Sequence, residues 1–430
     1  MGAIKLHWQV LIAIVMAIFA GLLTGTDTSI AGILIYDVYV FLGTLFLNAL
    51  KMVIVPLIMA SIITGISGVG GEQGLGKIGI KTLGFYALSS TLAILVGLLF
   101  VNLIAPGVVD GEPARDQLGL SVVSESLVEK VEGKGQGDLV GIFLRMVPTN
   151  VVAAAAQGQM LGLIFFSLLF GYFMTRIEPS PAKTLKNFWD GIAQTMMKIT
   201  MLIMKFSPYG VFGLVAKTVA STGFDAFVPL LTFFITVVLA LAFHTFITMP
   251  ALIYTFTRLN PLRHFKAMFP ALLTSFSTAS SSATLPVTLE CVEKGSGVSN
   301  RTSSFVLPLG ATVNMDGTAL YECVAAMFIA QAYGIEMSLT VQFTVVLMAL
   351  LTSIGVAGIP AASLVAISII LGAIGLPLEA IGLILVTDRI LDMCRTSVNI
   401  FGDSCGAVII AHSEGEQGLL QDKSKNLEAA

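Results

Sequence analysis

Long stretches without a charged residue are the feature that most constrains how this chain can fold. Among them are 52–71, 82–109, 146–175, 226–257, 267–289 and 337–378, none of which contains Asp, Glu, Lys or Arg. About 20 apolar residues in a helix span a bilayer. Charged residues make up 11% of the chain and the set AVILMFWYC 56%, whereas a soluble domain is roughly a quarter charged. The sequence therefore predicts an all-α membrane protein.

Several other classes of protein are disfavoured by composition. The net charge of −3 provides no basic field for nucleic acid. The four cysteines form no CxxC pair and have no histidine at ligand spacing, so neither a disulfide framework nor a zinc site is indicated. Residues 1–5 precede a long apolar run without a small-residue cleavage site, which favours a retained first span over a signal peptide.

The positions of the charged residues predict how the chain is oriented in the membrane. The segment 110–138 holds seven acidic and three basic residues and is interpreted as a solvated loop. Loops rich in Lys and Arg tend to stay in the cytoplasm, and the candidates are Lys77, Lys81, Arg176 to Lys186, Arg258, Arg263 and Lys266. We therefore expect the acidic loop outside, both termini in the cytoplasm, and a multi-pass protein of the inner cell membrane.

Two of the charge-free stretches do not fit a simple span. The first, 267–289, is polar at its centre around Ser277–Ser282, and the second, 337–378, is interrupted by Ser353–Pro360. The arms of the second are about 16 and 15 residues long, below the length of a span. Both are predicted to be re-entrant hairpins, and helices are predicted near 8–25, 32–66, 79–106, 139–176, 184–219, 226–257, 302–331 and 380–411.

The two halves that begin with these hairpins look like repeats. Each hairpin is followed by an apolar helix with a polar cluster, 302–331 and 380–411. Interrupted segments in matching positions of two halves point to a transporter binding site near the middle of the bilayer. The alternative is two irregular spans whose Ser and Gly only pack helices together.

One polar stripe lies on the last predicted helix. Asp392, Arg395, Thr396, Asn399 and Asp403 fall on one helical face. A guanidinium suits a carboxylate and Asp392 suits an ammonium group, which favours an acidic amino acid as ligand. Asn399 and serine hydroxyls would then remain for the α-carboxylate. The alternative is an internal Asp392–Arg395 ion pair without another role.

A second cluster lies at 310–318. Asn314 and Asp316 would point to opposite sides of a regular helix, so we predict an unwound segment between Gly310 and Gly317. Free carbonyl, amide and carboxylate oxygens suit a small hard cation, and sodium is the expected ion. The alternative is a glycine kink that only bends the helix.

Glu322 shares a helical face with Thr318 in the same apolar surroundings. Burial disfavours the charged form of a carboxyl group, which makes Glu322 a candidate proton carrier. Pairing with Arg395 or another cation is the alternative.

These motifs together resemble one known family. The segments that carry the likeness are Asn314–Thr318, Ser280–Ser282 and Asp392–Asp403. They closely resemble the glutamate/aspartate transporters, which are dicarboxylate/amino acid:cation symporters. The resemblance implies a homotrimer in the lipid bilayer, with eight transmembrane helices, two re-entrant hairpins and inverted repeats in each protomer.

The resemblance also implies a transporter of the elevator type and not an enzyme. The scaffold would comprise 1–78 and 139–224, and the transport domain 79–109 and 225–412. The loop 110–138 would be extracellular and the tail 413–430 cytoplasmic. The implied activity is import of glutamate or aspartate driven by co-transported sodium ions, with a proton as a further co-transported ion and potassium as a counter-transported one.

By resemblance, particular residues take particular roles. The substrate-binding residues would be Ser280, Ser281, Thr318, Asp392, Arg395, Thr396 and Asn399, with Gly358 and Ile359 at the outer gate. One sodium ion would use Asp403 with backbone oxygens of Gly310, Asn314 and Asn399. A second would use backbone oxygens of Thr312, Ser353, Ile354 and Val356, and a third Asp316, Asn314, Tyr86, Ser89 and Ser90.

Some positions differ from the family pattern. Tyr321-Glu322 resembles the animal transporters, in which this glutamate carries a proton, whereas archaeal members carry Gln there. Ala279 and Met393 stand where relatives place an extra arginine, and Ser363 stands where many have Gly.

The alternative functions differ in substrate or in class. A carrier of C4-dicarboxylates is disfavoured by Asp392 and a carrier of neutral amino acids by Arg395. An intramembrane aspartyl protease using Asp37 and Asp403 is the more distant alternative, because Ile400 replaces the first glycine of its motif.

Overall fold

The computed structural model describes residues 6–69, 77–120, 144, 146–157, 159–355, 362–377 and 380–421. The described chain is mostly α-helical, with two very short antiparallel strand pairs. The helices are α1 Leu6–Thr24, α2 Ile35–Val69, α3 Lys77–Ile104, α4 Val151–Ala156, α5 Met160–Met174, α6 Pro179–Lys205, α7 Ser207–Thr222, α8 Phe227–Phe243, α9 Met249–Thr257, α10 Pro261–Thr278, α11 Ser281–Glu290, α12 Asn300–Val313, α13 Asp316–Ala332, α14 Leu339–Gly355, α15 Ala362–Ile374 and α16 Ile381–Ser413. The strand pairs are β1 Ser29–Ile30 with β2 Ile33–Leu34, and β3 Val108–Val109 with β4 Glu112–Pro113.

Several helices are apolar enough to cross a membrane. Ile35–Ser67, Lys77–Ile104 and Phe227–Thr257 meet this criterion alone, and α6 with α7 meets it as a bent pair. Large apolar side chains such as Phe41 and Leu103 are exposed on their surfaces. Because lipid solvates such side chains and water does not, these helices define a multi-pass membrane protein.

The structure breaks two of the helices that the sequence predicts as continuous. The helix predicted at 184–219 bends by 52° between α6 and α7. Pro208 causes this bend, because proline has no N–H and its ring clashes with the preceding turn. The helix predicted at 139–176 is described as α4 and α5, where Asn150 caps α4 by accepting a hydrogen bond from the Ala153 amide at 3.0 Å.

The helices pack in two groups. In the first, α7 packs against α1 and α2, and α2 also packs against α5 and α6. The α2–α7 approach is close, since a Cβ added at Gly213 would lie 2.7 Å from the Tyr39 carbonyl oxygen. Small residues at such crossings are typical of membrane helices.

The second group surrounds α13. That helix is buried along nearly its whole length and packs against α3, α8, α14, α15 and α16. A helix buried on all sides belongs to the centre of a bundle. Asp316, Thr318 and Glu322, all on α13, are therefore held deep in the protein.

Each of the two predicted hairpins contains a pair of helices that pack together. Helices α10 and α11 pack against each other around a tight turn, where Ala279 has a φ of 48° and Ser280 caps α11 by accepting from the Ala283 amide. Helices α14 and α15 also pack together. The tip between them, including Val356, Gly358 and Ile359, lies outside the described residues.

A short segment, residues 414–421, follows α16 and crosses the start of α12; we call it the strap. The Glu416 carboxylate accepts hydrogen bonds from the Ser299 amide at 2.8 Å and from the Ser299 and Thr302 hydroxyls. Leu420 is buried, and its amide donates to the Ser296 carbonyl oxygen at 3.0 Å. An anion at a helix N-terminus interacts favourably with the helix dipole, so the strap stabilises the α12 N-terminus.

Replacing Glu416 with Gln is expected to lower the stability of the protein by about 1 kcal/mol, because the amide keeps the shape and loses the charge. Burial raises the pKa of Glu416, but the hydrogen bonds from Ser299 and Thr302 lower it by more, which leaves the pKa below its ordinary value. The stabilisation is thus full above the unfolded pKa of about 4.3 and is lost as the pH falls through the lower folded pKa. Thermal melts in detergent should show a gap between the two proteins at pH 7 that closes in acid. A gap of the same size at both pH values would contradict this role.

Candidate functional site

The polar site lies where α12 ends and α13 begins. Asn314 and Met315 leave the helical conformation, and regular helix resumes at Asp316. The unwound segment predicted between Gly310 and Gly317 is confirmed, although it is only two residues long. This short break lets the Asn314 and Asp316 side chains reach the same serine of α3, whereas a regular helix would point them to opposite sides.

Asp316 faces two serines of α3. The Ser89 and Ser90 hydroxyls donate to Asp316 Oδ1 at 3.1 and 2.8 Å. Ser90 also approaches Asn314 Oδ1 at 3.1 Å. All four side chains are buried, and among the described residues Asp316 Oδ2 has no hydrogen-bond donor. The structure thus brings together four of the five residues assigned to the third sodium ion.

The fifth, Tyr86, lies beside this group with its hydroxyl used elsewhere. Its OH donates to the Val306 carbonyl oxygen at 2.8 Å. A Cβ added at Gly310 would lie 2.6 Å from that hydroxyl and 2.5 Å from Asp403 Oδ1. Only glycine at position 310 therefore lets α12 approach Tyr86 and Asp403 so closely.

Asp403 is linked to the same cluster through an amide. Asn314 Nδ2 donates to Asp403 Oδ1 at 3.0 Å, and both residues are buried. A Cβ at Gly402 would lie 2.6 Å from Asp316 Oδ2, so α16 passes directly under Asp316. Among the described residues, no group of three or more His, Cys, Asp or Glu side chains could hold a metal ion. The ligands that this cluster presents are mostly hydroxyl and amide oxygens, which hard cations prefer.

His244 also reaches this cluster, and sequence reasoning did not place it there. Its Nε2 lies 3.5 Å from Asp316 Oδ2, and both side chains are fully buried. It begins the π-helical turn His244–Thr248 between α8 and α9. The sequence feature that could have indicated this role is the position of His244, a single histidine in the middle of the charge-free stretch 226–257.

The charged stripe on α16 forms a second polar region. Arg395 is 1% exposed, and its Nη2 donates to Asp388 Oδ1 at 3.0 Å and to Asp392 Oδ1 at 3.1 Å. Its guanidinium carbon lies 3.9 Å from the centre of the Tyr321 ring, a cation–π contact. Among the described residues, Nε and Nη1 of Arg395 have no acceptor. A buried guanidinium with two unpaired nitrogens has donors available for a carboxylate.

Asp388 and Arg389 join this stripe although the sequence prediction began it at Asp392. Arg389 Nη1 lies 3.3 Å from Asp392 Oδ2. Asp388 is four residues before Asp392 and seven before Arg395, so the helical repeat places it on the same face and could have predicted it as part of the stripe.

Asn399 joins the two polar regions. Its Oδ1 accepts from the Gly317 amide at 2.8 Å, and its Nδ2 approaches Thr318 Oγ1 at 3.2 Å. Thr396 donates its hydroxyl to the Asp392 carbonyl oxygen at 2.8 Å. Asn399 and Thr318 are thus adjacent, as a shared substrate site requires.

The first hairpin is tied to α16 near this region. The Ser275 hydroxyl lies 3.1 Å from the Ser397 hydroxyl. Ser280 caps α11 and Ser281 is its first residue. The last turns of α10 are therefore held against α16.

Glu322 is fully buried and contacts the second hairpin. Its Oε2 accepts from the Thr352 hydroxyl of α14 at 2.8 Å, and Oε1 has no donor among the described residues. Among the described residues Glu322 forms no ion pair with Arg395, whose hydrogen bonds go to Asp388 and Asp392.

The residues assigned to the second sodium ion are described only in part. Thr312 is in the last turn of α12, Ser353 and Ile354 are near the end of α14, and these helices pack together. Val356 lies outside the described residues.

Apolar helices around a buried cluster of charged and oxygen-bearing side chains define a membrane transport protein. The chain matches the sodium:dicarboxylate symporter family over residues 6–413, and it belongs to that family.

Curated relatives agree with this assignment. The proton/glutamate-aspartate symporter of Escherichia coli is 36% identical, with 95% of this chain and 93% of the relative covered. The proton/sodium-glutamate symport protein of Geobacillus stearothermophilus is 34% identical, with 97% and 96% covered. Excitatory amino acid transporter 3 of Mus musculus is 34% identical, with 94% and 85% covered.

Proposed function

We propose that the protein is a secondary active symporter that imports glutamate and aspartate together with sodium ions and a proton. The observation that carries the proposal is the buried Arg395 with two unpaired nitrogens beside Asp392. Guanidinium nitrogens buried without acceptors are costly, so a carboxylate ligand that accepts from Nε and Nη1 would satisfy them. The printed names of the relatives agree with acidic amino acids as substrates.

The substrate would bind between α13, α16 and the two hairpins. Arg395 and Thr318 would hold the side-chain carboxylate, and Asp392 the ammonium group. Asn399 with Ser281 would hold the α-carboxylate. Ser280 and Thr396 would complete the site, and Gly358 and Ile359 would close it.

The driving ions would bind next to the substrate in the oxygen-rich clusters. Asp316 with Asn314, Ser89, Ser90 and Tyr86 supports one sodium site, because four of these side chains already share hydrogen bonds. Asp403 with backbone oxygens of Gly310, Asn314 and Asn399 would form another, and backbone oxygens of Thr312, Ser353, Ile354 and Val356 the third. Glu322 would carry the proton and support potassium counter-transport.

The proposed architecture is a homotrimer of elevator-type protomers in the inner cell membrane, with both termini in the cytoplasm. Each protomer would have eight transmembrane helices, two re-entrant hairpins and inverted repeats. The packing of α1, α2 and α5–α7 against one another supports a scaffold of 1–78 and 139–224. The packing of α3 against α13 supports its place with 225–412 in the moving domain.

Uptake into liposomes tests the proposed function. Purified protein in liposomes should accumulate labelled L-aspartate and L-glutamate under an inward sodium gradient, and empty liposomes should not. Accumulation that is unchanged in sodium-free buffer would contradict sodium coupling. Failure to take up or bind either amino acid in sodium would contradict the proposed substrate class.

Glu322→Gln is expected to remove the pH dependence of net uptake while exchange of internal for external aspartate continues. Gln keeps an oxygen for the Thr352 hydroxyl and cannot titrate. Uptake measured between pH 6 and pH 8 with internal potassium should be steep for the wild type and flat for the variant. Glu336→Gln, an exposed glutamate outside the site, is the control and should behave as the wild type. The same pH profile in the Glu322 variant and the wild type would contradict the proton role.

A further inference from the structure

An apolar cavity lies beside the charged stripe and has no part in the proposed substrate or ion contacts. It is enclosed by α8, the π-helical turn that follows it, α10 and α16, and its volume is about 690 Å³. This volume falls within the range of about 300–1,000 Å³ that is usual for ligand pockets. Its walls are almost entirely aliphatic and aromatic, with Leu241, Phe269 and Val398 among them. The cavity is therefore suited to an apolar ligand and not to an amino acid.

The rim of the cavity is exposed on a membrane-spanning part of the protein. One wall belongs to Phe227–Thr257, which is apolar and long enough to span a bilayer. Phe246, Phe269 and Phe276 line the cavity and are exposed. Apolar cavities stay free of water and take up apolar molecules. In a bilayer, the apolar molecule that surrounds such a rim is the acyl chain of a lipid.

Lys266 is the one charged residue among those that line the cavity. Its side chain is exposed, and among the described residues no carboxylate pairs with its ammonium group. It ends the basic segment that starts at Arg258, between the charge-free stretches 226–257 and 267–289. Such a segment marks one edge of the membrane. A lysine there can line an apolar cavity with its stem and hold its ammonium among the lipid head groups.

We propose that this cavity is a binding site for an anionic phospholipid. One acyl chain lies between α8, α10 and α16, and the lipid phosphate lies beside the Lys266 ammonium. Charge complementarity selects the anionic class, since basic pockets between membrane helices bind anionic head groups on the cytoplasmic side. A zwitterionic lipid offers the same acyl chain but no net charge to Lys266. The site is separate from the substrate contacts and does not depend on which substrate is transported.

A lipid in this cavity stabilises the packing of the first hairpin against α16. Leu272 of α10 and Ser397 of α16 both line the cavity, and the Ser397 hydroxyl donates to the Leu272 carbonyl oxygen at 3.3 Å. The acyl chain adds apolar contacts on both sides of this hydrogen bond. A ligand that binds the folded protein and not the unfolded chain raises its stability. The melting temperature therefore reports whether the cavity is occupied.

The test follows the melting temperature of the purified full-length protein in detergent while dioleoylphosphatidylglycerol or dioleoylphosphatidylcholine is added. The two lipids have the same acyl chains and differ in net charge. The phosphatidylglycerol should act at a concentration about fivefold lower, which is the contribution of one lysine to an anionic lipid. Lys266→Gln should remove this difference. Lys186→Gln is the matched control, because Lys186 is an exposed lysine of α6 outside the cavity lining, and it should keep the difference.

Filling the cavity tests where the acyl chain binds. Ala242→Phe and Leu273→Trp enlarge two side chains of the lining, and each should weaken the effect of both lipids. Leu273 is exposed, so its variant folds even if Ala242→Phe does not. Equal effective concentrations of the two lipids on the wild type would refute the anionic preference. Loss of the difference in Lys186→Gln as well would indicate a general charge effect, and unchanged lipid responses in both filled variants would place the lipid elsewhere. Stabilisation by sodium oleate without any by phosphatidylglycerol would identify a fatty acid site and overturn the proposal.

Discussion

Replacement of Arg395 by cysteine should reduce transport of aspartate and glutamate at least 100-fold. The substrate carboxylate would lose its charged partner in a buried site, and removing one member of a buried, hydrogen-bonded charge pair costs about 2–5 kcal/mol. Each 1.4 kcal/mol is a factor of ten in affinity, so a cost of about 2.8 kcal/mol, within that range, accounts for the expected loss. The smaller, uncharged side chain should also admit neutral amino acids such as serine.

Uptake of labelled aspartate, glutamate and serine into liposomes measures this change. Arg115→Cys is the matched control, because the partner of Arg115 among the described residues is the exposed Asp116 and Arg115 lies far along the chain from the stripe. It should transport as the wild type does. Arg395→Cys also leaves Asp388 and Asp392 without their shared partner, so its thermal stability is measured in parallel. Aspartate uptake undiminished in a folded Arg395→Cys protein would refute the role of Arg395 as the carboxylate partner.

The helical segments were largely predictable because lipid imposes a simple rule on the sequence. A helix in a bilayer satisfies its own backbone and excludes charge, so charge-free stretches mark the helices. The predictions near 8–25, 79–106 and 226–257 correspond closely to α1, α3 and α8 with α9. The bend at Pro208 was not predicted, because the prediction rested on apolar character and the sequence stays apolar across the bend. The proline acts through the loss of one backbone hydrogen bond.

The polar site was predictable where its residues share one helix. The helical period placed Asp392, Arg395 and Asn399 on one face, and α16 is a continuous helix through all three. The alternation of Asn314 and Asp316 predicted the break between α12 and α13, which the structure contains. These signals are local, because a helix relates residues that are three or four apart.

Contacts between helices were not predictable from the same reasoning. The periodicity of α13 gives no indication that Thr352 meets Glu322, or that His244 meets Asp316. Ser89 and Ser90 were assigned to the Asp316 cluster by family resemblance, and α3 packs so that both hydroxyls reach the carboxylate. Such pairings depend on how two helices are rotated against each other, which side-chain spacing along one helix does not determine.

The second large effect is expected for Asp316→Asn, which removes the negative charge from the cluster with Ser89, Ser90 and Asn314. The amide has the same shape, and its oxygen can still accept the serine hydrogen bonds. A sodium ion would lose its charged ligand in a buried environment, where two unit charges 4 Å apart attract each other by about 4 kcal/mol at an effective dielectric constant of 20. The sodium concentration for half-maximal aspartate binding should therefore rise at least tenfold, even if most of that attraction is offset by lower desolvation.

Titrating sodium at a fixed aspartate concentration measures the shift. Asp37→Asn is the matched control, since Asp37 is an exposed carboxylate in the first turn of α2 and carries the same charge change. An intramembrane protease that uses Asp37 would be sensitive to this control, whereas a symporter should keep the wild-type sodium dependence. Ser90→Ala removes one hydroxyl and should give a smaller shift than Asp316→Asn. Equal sodium dependence in Asp316→Asn and the wild type would mean that this cluster does not bind sodium. Its serine hydrogen bonds would then be structural contacts only.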